Sequence, residues 1–232
     1  ADIVLTDNNF SSIVSAIEEG RTQFRNVRRT SFFLISTNVA ESLTLLTFLI
    51  LGLPLPLLAI HILWLNIITG GVTDVALATE KVHDDILSEP PRKREEPVLN
   101  RYALYFIITI TVSMVALGLV SFLAFGQDNE IKGRTALFVF LSLSQLWCLL
   151  SMRSLKKPTI HLGLFTNKNI NLAIIASILL LLGILYIPIL QTFFSFTHLA
   201  IADLGLLFLA SFIVFLVAEA TKLSRYHSNY NH

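Results

Sequence analysis

Asn66, Thr69 and Asp74 lie in the stretch "ILWLNIITGGVTDVALATE", Ile62 to Glu80, whose surroundings are apolar for longer than a bilayer is thick. An ionisable side chain at mid-bilayer costs about 2.5–3.5 kcal/mol on insertion scales, so a carboxylate there marks a candidate functional group. A second set sits in "STNVAES", where Asn38 and Glu41 are three residues apart and share one helical face. A third is Gln145, placed among Ser142, Ser144 and Trp147. On a regular helix, Asn66 and Asp74 would stand about 80° apart around the axis and about 12 Å along it.

Together Asn38, Glu41, Asn66, Thr69, Asp74 and Gln145 offer carboxylate, amide and hydroxyl oxygens with no thiolate or imidazole among them. Such a set suits hard cations (Ca²⁺, Mg²⁺, alkali ions) or protons, rather than Zn²⁺ or Cu⁺. Gly70 and Gly71 are expected to loosen the segment at mid-membrane, where freed carbonyls are tolerated beside a polar cavity. Other polar residues have structural readings. Thr37, Ser42 and Ser144 read as interhelical hydrogen-bonding groups. Glu219 reads as a partner of Lys222, His61 as interfacial at the outer mouth of its segment, and Trp64 and Trp147 as packing or interface anchors. The run "EPPRKREEP" reads as a solvated loop.

These residues need helices to hold them. Spanning a ~30 Å hydrocarbon core takes roughly 20 apolar residues. Six segments qualify, near 30–53, 57–79, 102–126, 135–152, 169–190 and 199–221. The chain is 54% apolar and 14% charged, with a mean hydropathy of +0.70. Soluble domains carry about 25% charged residues. A net charge of +1 argues against a nucleic-acid partner, which demands clustered basic residues. Cys148 is the lone cysteine, which excludes a disulfide framework and a paired-thiolate metal site.

Fifteen of the seventeen Lys and Arg residues fall on one side of the expected bundle, leaving only Lys132 and Arg134 opposite. The positive-inside rule then puts both termini in the cytoplasm. Residues 1–29 read differently from the rest. "ADIVLT" suggests a buried strand and "DNNF" a turn, followed by a helix capped by Ser11 or Ser12. With no leader before it, this segment is read as the end of a cytosolic domain in a longer protein. No proline intervenes between Arg21 and Pro54, so one helix is expected to run from that domain into the first span.

Four motifs, "ADIVLTDNNFSSIVSAIEEGR", "STNVAES", "LWLNIITGGVTDVAL" and "SEPPRKREEPVLNR", resemble in order and spacing the C-terminal part of type II P-type cation-transporting ATPases, the group of calcium pumps and bacterial relatives. The resemblance implies an all-α membrane protein. Its six-helix transmembrane bundle would be family helices five to ten, with a short strand–helix remnant of the phosphorylation domain. Residues 1–29 would be that remnant and the stalk, 30–221 the transport domain, and 222–232 a cytosolic tail. By the same resemblance Asn38 and Glu41 match helix-five ion ligands, and Asn66 and Thr69 match those of helix six.

Two positions depart from the calcium-pump pattern. Gly70 stands where an Asp follows the Thr, and Gln145 stands where helix eight has a Glu. Asp74 is expected to supply the displaced acid. ATP and Mg²⁺ are implied for the complete pump and not for this chain, in which the family's D-K-T-G, T-G-E and G-D-G-x-N-D stretches are absent. The implied partners are the lipid bilayer and the N-terminal domains of the same pump. The short links between spans point to a bacterial plasma membrane. Two other functions fit the residues: a secondary transporter moving cations or protons through Glu41 and Asp74, and an inactive fragment or accessory subunit.

Overall fold

The computed structural model describes residues 9–80, 86–87, 101–155, 157–163 and 166–230, with side chains described as far as Ser224. Among the described residues, six helices are long and apolar enough to cross a membrane. No strand occurs among the described residues, and the expected strand at "ADIVLT" lies outside them. The "EPPRKREEP" loop lies outside them too.

Helix α1 runs unbroken over Phe10–Ile50, 41 residues or about 60 Å at 1.5 Å per residue. That is twice the hydrocarbon thickness, so its arginine-rich first half projects beyond the bilayer. Its N-cap is Asn9 rather than Ser11 or Ser12. The Asn9 Oδ1 accepts from Ser11 N at 3.0 Å, using a short side chain from the residue just outside the helix. The helix stops three residues before the expected boundary, because Gly52 takes φ +64° and Pro54 follows.

The second span is one rod built in three parts: α2 (Ala59–Trp64), a π-helical turn (Leu65–Gly70) and α3 (Gly71–Ala78). The glycine pair therefore does not unwind the segment. It sits where the rod changes from five-residue to four-residue hydrogen-bond spacing. Helices α4 (Arg101–Gly126) and α5 (Glu130–Met152) form a tight antiparallel pair. At their turn a Cβ on Gly133 would lie 2.8 Å from Gly126 Cα and 2.9 Å from Phe122 O. Both obstacles are backbone, so Gly133→Ala should force the pair apart and cost about 1–3 kcal/mol, as overpacking does. Thermal melting of the detergent-solubilised protein checks this, and an unchanged midpoint would refute it.

Helix α5 is the hub. It packs against α1, α4 and α9, and residues Ala136 to Leu141 are all fully buried. An apolar surface on every side is what a central helix requires. The remaining helices are a short α6 (Thr159–Leu162), α7 (Lys168–Tyr186), α8 (Pro188–Phe193) and α9 (Ile201–Tyr230). The fifth span was expected to reach residue 190, but Ile187 is extended and Pro188 starts a new helix. The tail expected from residue 222 instead continues α9 as far as Tyr230. Trp147 packs edge-on against Phe208 and Phe212 of α9 while its Nε1 donates to Ser211 Oγ at 3.2 Å, a packing anchor as expected.

Candidate ion-binding site

Glu41 of α1 is buried, 3% exposed, and its carboxylate is the meeting point of three spans. Asn66 Nδ2, in the π turn, donates to Glu41 Oε2 at 3.1 Å. Gln145 Nε2, in α5, donates to Glu41 Oε1 at 2.6 Å. The second Asn66 Nδ2 proton goes to Ile62 O at 2.9 Å, which fixes the amide with its oxygen free of that role. Gln145 Oε1, Ser142 Oγ and Ser144 Oγ are buried without a hydrogen-bond partner. An orphaned buried oxygen costs about 1–3 kcal/mol, and a bound cation is one means of recovering it.

The other expected ligands are placed less centrally. Thr69 is buried on the π turn, and Asn38 is exposed on α1, one turn before Glu41. Among the described residues no hydrogen bond joins either of them to the Glu41 cluster. Asp74 lies on α3 toward the basic side of the bundle, half-buried, with Oδ1 enclosed and unpartnered. It makes no hydrogen bond to Glu41, Asn66 or Gln145. No group of three or more His, Cys, Asp or Glu side chains gathers among the described residues. Whatever binds at Glu41 meets one carboxylate dressed by two amides, a setting of oxygen and amide groups that suits a hard ion.

Three further polar nodes brace the bundle that carries this cluster. On the basic side Arg153, fully buried, bonds Glu80 through Nε–Oε2 at 3.2 Å and Nη2–Oε1 at 3.0 Å. Asn167 Nδ2 donates to the same carboxylate at 2.7 Å, and Asn26 Nδ2 of α1 donates to Ala78 O at 2.9 Å and Glu80 O at 3.0 Å. The end of α3 is thus tied at once to α1, α5 and the start of α7. Nothing in the local sequence around Glu80 or Arg153 announces this, because their spacing of 73 residues carries no period.

On the opposite side, His61 is fully buried rather than interfacial. Leu58 N donates to its Nδ1 at 3.2 Å, which leaves Nε2 to donate to Phe194 O at 2.7 Å. Its ring stacks on Phe196 with centroids 4.6 Å apart. The aromatic segment before α9, with Phe194 and Phe196, encloses it. Near the basic end of α9, Lys222 Nζ meets Glu219 Oε1 at 2.7 Å, and Ser151 and Thr159 donate to the same carboxylate. That pairing is the structural one its i, i+3 spacing implied.

Residues 54–224 match the family model described as "Cation transporting ATPase, C-terminus". The chain belongs to this family. Over 97% of its length it is 35% identical to "Calcium-transporting ATPase 1" of Bacillus cereus, and over 96% it is 34% identical to the protein of that name in Saccharomyces cerevisiae. It is also 34% identical, over 96% of its length, to human "Calcium-transporting ATPase type 2C member 1". The chain spans about a quarter of the length of these relatives, 27%, 24% and 24% respectively. Membership of this family of cation-transporting ATPases weighs against the secondary-transporter reading, and the six apolar helices make the chain an integral membrane protein.

Proposed function

We propose that this chain is the ion-binding and ion-translocating membrane part of an ATP-driven cation pump, carrying a hard cation of the Ca²⁺ or Mg²⁺ type. The observation that carries the reading is Glu41. It is a buried carboxylate held by amides from two other spans, beside an unpartnered Gln145 Oε1. Glu41, Asn66 and Gln145 form the centre of the proposed site, with Asn38 and Thr69 on the adjoining turns of their helices. The relatives whose printed names say "Calcium-transporting" support Ca²⁺ as the first ion to test. ATP and Mg²⁺ belong to the complete pump, whose N-terminal domains are the proposed partners of residues 1–29. Residues 30–221 are the proposed transport domain, and 222–232 the cytosolic end.

The continuity of α1 supports a mechanism. A rigid helix that leaves the membrane can carry a push or tilt from a cytosolic domain to Glu41 at its bilayer half. Movement of Glu41 relative to Asn66 and Gln145 would open or close its oxygens to the ion. The excess of Lys and Arg on one side supports cytoplasmic termini. The short links between spans favour a bacterial plasma membrane.

The test is cation-dependent phosphorylation of the full-length pump by ATP, across Ca²⁺, Mg²⁺, Mn²⁺, Na⁺, K⁺ and pH. Phosphorylation that ignores every cation would sink the proposal. In the same assay Asp74→Asn is expected to raise the cation concentration for half-maximal phosphorylation by about tenfold, the worth of one buried charge-assisted contact. An unchanged dependence would remove Asp74 from the ion's route.

A further inference from the structure

The second span of a regular helix would turn Asp74 away from Asn66, by about 80° over eight residues. The π turn changes this. Gly71 N donates to Asn66 O, a five-residue closure, so the rod absorbs one extra residue between them. Seven effective steps of 100° leave Asp74 about 20° from Asn66, two turns further toward the basic side. The exposure pattern agrees. From Leu63 onward the exposed positions of this span are Leu63, Asn66, Ile67, Val72, Val75, Ala78 and Thr79, and the one five-residue step, from Ile67 to Val72, falls across the π turn.

Two residues hold that turn. At Gly70 a Cβ would come 3.2 Å from Leu65 O, closer than nine in ten such contacts, so a side chain there presses on the turn's first carbonyl. From α3, Thr73 Oγ1 donates to Thr69 O at 2.7 Å and reaches Gly70 O at 2.8 Å. These are the last two carbonyls of the turn, at its junction with α3. Thr73 is itself fully buried and points at no oxygen of the Glu41 cluster in any hydrogen bond among the described residues.

We infer that Thr73 is a positioning residue of the ion site. Its hydroxyl, with the bare Cα of Gly70, keeps the π turn that sets Asn66 and Asp74 on one face as successive polar stations. The inference rests on the reading of Glu41 and Asn66 as an ion site. It adds that the register of the second span, and not only its ligands, sets affinity for the ion.

The experiment uses the full-length pump in native membranes with Ca²⁺ as the titrant. Thr73→Val keeps shape and removes the hydroxyl. It should raise the Ca²⁺ concentration for half-maximal phosphorylation by about tenfold, the upper end of what one buried hydrogen bond is worth, with protein abundance and melting midpoint held. Thr73→Ser, which restores the donor, should stay within about twofold of the parent. A Val variant that matches the parent overturns the inference while leaving the site reading intact. A parent pump indifferent to Ca²⁺ and to the other cations overturns the site reading, and the inference with it. If the Val variant does not accumulate, Thr73→Ala, which also lacks the hydroxyl, decides: a loss of about tenfold upholds the inference, and a parent-like response overturns it.

Discussion

Glu41→Gln in the full-length pump is expected to raise the cation concentration for half-maximal phosphorylation by at least about a hundredfold. Opposite unit charges about 4 Å apart attract by about 4 kcal/mol at an effective dielectric near 20, and every 1.4 kcal/mol is a factor of ten. The carboxylate is 3% exposed and its hydrogen-bond partners are two amides, neither of which can take over its charge. The substituted amide also offers one acceptor oxygen where the carboxylate offers two. Either Asn66 Nδ2 or Gln145 Nε2 then loses its present acceptor. The measurement is a titration with Ca²⁺ and with Mg²⁺, followed by radioactive phosphate incorporation. A response within tenfold of the parent would show that the ion is bound elsewhere.

The second large effect concerns stability. Glu80→Ala removes the counter-charge of a guanidinium with no solvent exposure, and Arg153 cannot shed its proton to escape. Breaking one partner of a buried pair costs about 3–5 kcal/mol, mostly because the other charge remains. The Glu80 carboxylate also accepts from Asn167, so the start of α7 loses one of its ties to the end of α3 and keeps the Asn169–Thr79 bond. The exchange of both partners, Glu80→Met with Arg153→Met, should be much milder than either single change, since it leaves no buried charge. Thermal melting of the three variants in detergent distinguishes the cases. If Glu80→Ala melts with the parent, the node carries no net stability, and its role would be confined to alignment.

The central cluster was legible because charge inside a span is costly. Glu41, Asn66 and Gln145 stand out against apolar neighbours whatever the fold, and the structure joins all three through one carboxylate. Thr69 is buried in the same turn as Asn66, while Asn66 and Asn38 are themselves exposed, Asn38 standing about 60° around α1 from Glu41 at the edge of the buried face. His61 misled for a related reason. A titratable residue near a span's end usually reaches water, yet here Phe194 and Phe196 come from 133 and more residues away to cover it. No local pattern encodes a lid supplied by another helix pair.

What the amino-acid sequence determined by itself is what depends on one-dimensional quantities. Apolar length and charge placement settle six spans and the side on which the basic residues gather, since the bilayer imposes its thickness and its cost of charge on every segment alike. The tertiary structure alone decided which polar residues meet. It made α5 the hub, paired Arg153 with Glu80, and converted the glycine pair from an expected break into a π turn that rotates everything after it by one residue. Such choices depend on packing between helices distant in sequence. They also depend on hydrogen-bond registers that differ by a single residue, and hydrophobic periodicity alone does not resolve that difference.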